Sequence, residues 1–395
     1  MDRDMPERVY LDWNATAPLR PEARAAVIAA LDCLGNPSSM HGEGREARRL
    51  IEEARERVAA LVGTAAGNVT FTSGGTEANM LALSPALETA GTKAPFDRLL
   101  VSAIEHPSVR AGARFASEAV EEIPVTQQGV LDLAALERRL AVLKGEGRRV
   151  LVSIMAANNE TGVVQPVSEA ARIVHQTGGL LHVDSVQAAG RIPCDINKLD
   201  ADLLTVSGHK LGGPQGAGAL IRRDQNLHPA ALLKGGGQER GLRAGTENVA
   251  AIAGFGAAAL AAGWALTADA PRLMGLRQRL EAGLKAASPE AVIFGAEIER
   301  VPNTTLFAVA GIKAETAVIA LDLDGVAVSS GAACSSGKVQ PSHVLAAMGV
   351  SPDLVRAGVR VSLGWTTTES DIDRLLNAWI KVARALLKER RGIAA

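Results

Sequence analysis

The chain has 395 residues, and at roughly 150 residues per domain that length predicts two domains, or one large α/β unit with an appendage, and excludes a small single binding module. Lys plus Arg (42) nearly balance Asp plus Glu (43), leaving a formal charge of −1; with no positive field and only 3% aromatic residues, the composition argues against nucleic acid as a partner. Hydrophobic residues at 47% and charged residues at 22% suit a globular chain with a sizeable core and argue against disorder.

The first eight residues mix acids and bases with no apolar stretch behind them, so no signal peptide is expected and a cytoplasmic location is. Cys33, Cys194 and Cys334 form no CxxC pair, which argues against a disulfide framework and for a reducing compartment. An Ala-rich helix is bracketed by Pro21 and Gly35, and a second helix over 45–61 interleaves Glu and Arg on its exposed face. From 69 to 221, short β-rich runs at Val69–Thr72, 99–102, Val150–Met155, Leu180–Asp184, Leu203–Ser207 and 218–221 alternate with helical patterns over 76–90, 133–143 and 168–176. That alternation predicts a mostly parallel sheet covered on both faces, with ligands at the carboxyl ends of its strands. The uncharged stretch 249–268 is long enough to span a bilayer, but ten Ala and three Gly make it a buried or interfacial helix rather than a membrane span. Beyond it, a helix over 271–287, strands at 304–309, 326–328 and 359–363, and a closing helix over 369–388 read as a separate α+β unit. The domain expectation is therefore a large domain over 16–258, with 1–15 joining 259–395 in a smaller one.

Ser73-Gly74-Gly75-Thr76 follows a strand and opens a helix, so backbone N–H groups and hydroxyls converge at the positive end of a helix dipole, a phosphate cradle. The same four residues also read as an ordinary N-cap, lacking both a P-loop lysine and GxGxxG spacing. Asp184 ends an apolar strand, with Gln187 three residues on. In Ser207-Gly208-His209-Lys210-Leu211-Gly212-Gly213 a lysine follows a strand inside a collar of glycines, which a solvent-facing lysine does not need. Cradle, strand-end acid and collared lysine are together the parts of a pyridoxal 5'-phosphate site, where the lysine forms the Schiff base and the acid holds the pyridinium proton. An ion pair of that kind, at about 4 Å and an effective dielectric near 20, is worth roughly 4 kcal/mol.

The ordered set of motifs resembles the cysteine desulfurases of the class V aminotransferase superfamily, NifS- and IscS-like, in the group with the longer catalytic loop. It runs through Tyr10-Leu11-Asp12-Trp13-Asn14-Ala15-Thr16, Gly35-Asn36-Pro37, Ser73-Gly74-Gly75-Thr76-Glu77, Glu105-His106-Pro107, Asn158-Asn159-Glu160-Thr161-Gly162, His182-Val183-Asp184, Ser207-Gly208-His209-Lys210, Arg243-Ala244-Gly245-Thr246 and Ser330-Gly331-Ala332-Ala333-Cys334-Ser335-Ser336-Gly337. The resemblance implies an α/β fold of the pyridoxal-phosphate-dependent transferase fold type I, with a mostly parallel sheet in the large domain and a smaller α+β domain. It also implies roles: Lys210 as Schiff-base lysine, Asp184 on the pyridinium nitrogen, His106 stacked on the ring, and Asn159 and Gln187 near the ring oxygen. Thr76, Ser207, His209 and the Gly75 N–H would hold the phosphate, Thr246 would reach the phosphate of the other subunit of a homodimer, and Arg360 and Asn36 would bind the substrate carboxylate. On the residues alone His106 also reads as a helix-initiating residue before Pro107, and Arg360 as a strand-edge charge.

Cys334 is the residue that discriminates among these activities. Its neighbours are all small, giving no apolar anchor and predicting an exposed, mobile loop, whereas Cys33 and Cys194 read as small buried hydrophobes. The implied reaction takes sulfur from L-cysteine, leaves L-alanine and a persulfide on Cys334, and passes that sulfur to an acceptor or iron–sulfur scaffold protein. Trp13, Ala157 and Ala332 depart from the family's common residues, and none removes a catalytic group. Selenocysteine lyase, another class V aminotransferase activity and a non-catalytic scaffold are the alternatives; the scattered histidines offer no metal-ligand spacing, so no metal site is expected.

Overall fold

A computed structural model of the chain describes residues 8–89, 91–331 and 341–393; the catalytic-loop expectations at Ala332 and Cys334 lie outside them. Seven strands form the central sheet: β1 (Val69–Thr72), β2 (Arg98–Ser102), β3 (Val120–Ile123), β4 (Val150–Met155), β5 (Leu180–Asp184), β6 (Leu203–Ser207) and β7 (Gly218–Arg222), in the order β1-β7-β6-β5-β4-β2-β3. The pairings from β6 through β3 are parallel, and β7 is antiparallel to both its neighbours. Strands β4 to β7 are buried almost throughout, because helices cover both faces and leave no polar side to alternate with. β3, reading Val-Glu-Glu-Ile, was not foreseen: it is an edge strand, and its Glu121 takes Arg139 at 2.6 Å rather than facing a core.

The covering helices are α1 (Pro21–Leu31), α2 (Gly42–Leu61), α3 (Gly75–Ala82), α4 (Pro107–Arg110), α5 (Leu133–Gly145), α6 (Val167–Gln176) and α7 (Val249–Ala287). Two expectations need correction. The helix expected over 76–90 stops at Ala82, since Pro85 has no N–H to continue it and restricts the residue before it. The two helices expected over 249–268 and 271–287 are one, with Pro271 inside. Its first half is buried against α1 and α2 through Ile252, Phe255 and Ala259, while Leu273, Leu276, Leu280 and Leu284 enter a second core. Packing at both ends outweighs the hydrogen bond lost at the proline. This helix is apolar enough to span a membrane by composition, and most of its apolar window is buried inside the protein.

The second core lies under a four-stranded antiparallel sheet of β8 (Val292–Ile293), β9 (Thr304–Ala308), β10 (Ser329–Ser330) and β11 (Val359–Ser362), ordered β10-β11-β9-β8. The helices Ala314–Leu323 and Glu369–Ile393 pack on it. The N-terminal strand Val9–Tyr10 pairs in parallel with Val326–Ala327, and Val9 and Leu11 pack in this core. From there the chain runs past Asp12, which bridges to Ser362, and across the carboxyl ends of the central strands. That crossing places segment 12–16 between the two cores.

Candidate active site

The carboxyl ends of β4, β5 and β6, the start of α3 and segment 14–15 enclose a cavity of about 250 Å³. Its walls bring together Gly75, Thr76, His106, Asn159, Asp184, Gln187, Ser207, His209, Lys210 and Arg360, ten of the positions singled out from the sequence. Asn36 and Thr246 do not line it. Asn36 is exposed between α1 and α2, where its Oδ1 accepts from the Ser38 N–H at 2.9 Å, and Thr246 is exposed just before α7.

The cradle comes from the turn between β1 and α3. Glu77 reaches back to accept the Ser73 N–H at 2.8 Å, so the first N–H groups of α3 are left facing the cavity. A Cβ at Gly75 would come 3.0 Å from Val186 and 3.5 Å from Ser207, so glycine lets the helix terminus press against the ends of β5 and β6. Four residues on, Asn79 donates to Asp184 Oδ2 at 2.9 Å and to Ser108 Oγ at 3.0 Å. The Val186 N–H donates to Asp184 Oδ1 at 3.0 Å, so the strand-end acid is fixed by two donors.

Lys210 closes a single 3-10 turn, Gly208–Lys210. Its Nζ donates to the carbonyls of Asn14 at 2.5 Å and Ala15 at 2.6 Å. Gly212 has φ +85°, and a side chain there would meet Trp365 and Arg20, which accounts for part of the glycine collar. His209 shares a hydrogen bond at 3.1 Å between Nδ1 and Thr16 Oγ1; burial, with Lys210 and Arg191 adding to it, pushes its pKa down to about 4, so the ring is neutral at pH 7. His106 caps α4, its Nδ1 accepting the Ser108 N–H at 3.2 Å. A neutral ring therefore carries its proton on Nε2, and burial holds the pKa of His106 below the usual imidazole range.

Arg360, on β11, is 1% exposed. Its Nη1 donates to the Asn159 carbonyl at 3.0 Å and its Nη2 pairs with Asp12 Oδ1 at 2.8 Å, while its buried Nε has no partner. Gln187 donates from Nε2 to the Asn14 carbonyl at 3.0 Å. Asn14 itself is buried, donating to the Asn159 carbonyl and to Thr304 Oγ1, and so ties the cavity wall to the second sheet.

Several of these residues were not named from the sequence. Asn14, Glu105 and Glu160 stand inside quoted motifs without an assigned role, and Asn79 was signalled only as a polar residue on an otherwise apolar helix face. Glu105 is wholly buried, accepts the Met155 N–H at 2.5 Å, and has its pKa raised well above the usual range by burial and by Asp184. His182 is a satisfied core histidine, bonded to Ser153 and Thr205. Cys194 is buried, which pushes its thiol up to about 12, and Cys33 is partly exposed.

The fit to a pyridoxal phosphate can be judged from the donor set. A helix terminus with Thr76 and Ser207 suits a phosphate, a doubly supported carboxylate suits a protonated ring nitrogen, an imidazole with Nε2–H suits a ring face, and the unpartnered Nε of Arg360 awaits an acceptor. These residues fit the group.

The model of the aminotransferase class-V family matches residues 9–375. The chain is 43% identical over 377 residues to a cysteine desulfurase of Cereibacter sphaeroides, covering 94% of each chain. It is 38% identical over 387 residues to the cysteine desulfurase IscS of Dictyoglomus turgidum, covering 97% of this chain and 96% of that one. Among solved structures it resembles a NifS-like protein from Rickettsia africae, with a TM-score of 0.86 and 36% identity over 96% of this chain and 100% of that one.

Proposed function

The chain belongs to the class V aminotransferase family, and we propose that it is a cysteine desulfurase, taking sulfur from L-cysteine and leaving L-alanine. The observation that carries this reading is the single cavity in which Lys210, Asp184, His106 and Arg360 converge, in a chain whose relatives are cysteine desulfurases along nearly their whole length.

Thr76, Ser207, His209 and the Gly75 N–H would hold the phosphate of pyridoxal 5'-phosphate, Asp184 its ring nitrogen, His106 its ring face, Gln187 and Asn159 its ring oxygen, and Lys210 its carbonyl carbon. When bound, that group supplies an electron sink for the bonds at the substrate's Cα. Arg360 offers Nε to the substrate carboxylate while Asp12 and the Asn159 carbonyl hold the rest of the guanidinium in one orientation, so the fork does not have to be ordered at each turnover. Lys210, released from the Asn14 and Ala15 carbonyls as a neutral amine, accepts the Cα proton. His106, kept neutral by burial, donates from Nε2 and adds no competing positive charge.

The Cys334 thiolate attacks the substrate sulfur; an S–S bond forms, the substrate C–S bond breaks, and the electron pair left on the three-carbon fragment is protonated to give alanine. The persulfide then passes to an acceptor thiol, such as one on an iron–sulfur scaffold protein. A homodimer, with Thr246 reaching the other subunit's phosphate, is consistent with Thr246 standing exposed and outside its own chain's cavity.

The test is incubation of the purified holoprotein with L-cysteine and a reductant, measuring alanine and sulfide together. Equal yields are expected. Cys334→Ser, a far poorer nucleophile toward sulfur, should keep the cofactor and the cysteine-induced change in visible absorption yet accumulate neither product. Undiminished alanine from that variant would refute the mechanism.

A further inference from the structure

Gln187 and Arg191 stand four residues apart in the turn that follows β5, and the turn folds the Arg191 guanidinium back onto Gln187. Arg191 Nη1 donates to the Gln187 carbonyl at 3.0 Å and to the Gln187 side-chain Oε1, and its Nη2 donates to the Trp13 carbonyl at 3.5 Å. The turn closes tightly because residue 190 is glycine, with φ +72°, where a Cβ would come 2.7 Å from Leu211, the neighbour of Lys210. Arg191 and Lys210 also line one small cavity of about 40 Å³ on the other side of the lysine from the active-site cavity.

A guanidinium has donors and no acceptor. The end of the Gln187 amide that faces it must therefore be the oxygen, and the other end, the NH2, is committed to the Asn14 carbonyl and the active-site cavity. Left to itself an amide can flip. We infer that Arg191 is a positioning residue that locks Gln187 with its NH2 toward the cavity, and that this fixed donor, together with the charge of Arg191, lowers the proton affinity of the nitrogen at Lys210 when the cofactor is bound. The inference rests on the cofactor assignment above.

The hydrogen bonds of Arg191 go to neutral oxygens, so its charge is not cancelled by a carboxylate bonded to it. His209, next to Lys210, is held neutral in part by this same charge. Among the described residues, the other charged or titratable groups lining the two cavities with the lysine are Asp184, His106 and His209, Arg360 from β11, and Arg20 and Asp269 across the smaller cavity. A substitution at 191 leaves the identity of each of these residues unchanged; His209 also feels the charge of Arg191, and burial, the largest cause, still holds its pKa down.

The readout is the visible absorption of the holoenzyme, titrated with pH in the absence of substrate. Arg191→Met removes both the lock and the charge and should raise the apparent pKa of the chromophore by about one unit, a roughly tenfold gain in proton affinity. Arg191→Gln can still offer an NH2 to Gln187 Oε1 and should give a smaller rise, about half a unit. In a Gln187→Ala background, Arg191→Met should move the pKa by less than it does alone, because the amide it orients is gone. A wild-type protein that takes up no pyridoxal phosphate overturns the cofactor reading and this one with it. A wild type that titrates normally, beside an unshifted apparent pKa in either 191 variant that holds the cofactor, overturns this inference alone.

Discussion

Glu160 is a carboxylic acid in the wrong medium, and replacing it by glutamine should stabilise the protein in a way that depends on pH. Its side chain is buried, Ser342 Oγ donates to Oε2 at 2.5 Å, and a Cβ at Gly331 would stand 2.9 Å from that same oxygen. Burial raises its pKa from 4.5 to about 7, against the opposing pull of Ser342 and Arg360. Below pH 4.5 the group is neutral folded or unfolded and costs nothing. Between 4.5 and 7 the folded state binds the extra proton, so stability falls as pH rises; above 7 the full cost of a buried charge is present, about 3 kcal/mol for a shift of that size. Glu160→Gln keeps an oxygen for Ser342 and has no charge to bury. Between pH 5 and pH 8 the wild type should therefore lose about 2.5 kcal/mol relative to Glu160→Gln. Urea unfolding of both proteins, at one protein and one cofactor concentration and at both pH values, measures the difference. Parallel pH curves, or a variant less stable at pH 8, would refute the reasoning.

Glu239 and Arg55 form a buried pair, with side chains 2% and 4% exposed and bonds of 2.7 and 2.8 Å, and Glu239 also accepts the Phe71 N–H. Glu239→Ala leaves the buried Arg55 only Glu52, at 3.1 Å, as a counter-ion and should cost about 3 kcal/mol, whereas the double change Arg55→Met, Glu239→Met should recover most of it; equal losses in urea would show that the pair is not what holds this site. Asp12→Asn should weaken the hold on Arg360, raising KM for L-cysteine about tenfold, as loss of a charge-assisted hydrogen bond implies, with kcat within about threefold. An unchanged KM would remove Asp12 from the substrate site.

The central sheet was legible because strands buried on both faces leave apolar runs such as Leu-Leu-Thr-Val and Val-Leu-Val-Ser-Ile-Met, and because turns rich in glycine punctuate them. β3 was not, since an edge strand with Glu121 and Glu122 carries no such run. The continuity of α7 was hidden for a different reason: Pro271 signals a break locally, and only the two cores at either end of the helix override it. Within the cavity, residues whose place is signalled by their own neighbours in sequence, such as Lys210 in its glycine collar or Asp184 at a strand end, could be picked out as lining it. Asn79, Glu105 and Glu160 could not, because what each does is set by a group the topology brings opposite it, Asp184, Met155 and Ser342 respectively; Arg191 could not because its contact with Gln187 needs the turn at Gly190.

That second layer decides which charges the cavity carries. Glu105 lies close enough to Asp184 for its pKa to be raised by it, and two ionised carboxylates there would repel each other. Full burial and the nearby Asp184 push the pKa of Glu105 up, against a single N–H donor from Met155, whereas Asp184 accepts from two donors, Asn79 and the Val186 N–H. The imidazoles are sorted in the same direction. Burial keeps His106 and His209 neutral, so neither adds a positive charge beside Lys210 that would oppose a protonated ring. The guanidinium groups each have a fixed partner: Arg360 on Asp12, and Arg191 on Gln187. On the proposed reading, in which Lys210 moves one proton to and from a substrate carbon, the site is surrounded by groups whose own pKa values burial displaces, and changing one member of this layer should move the pH dependence of the reaction before it disturbs the fold.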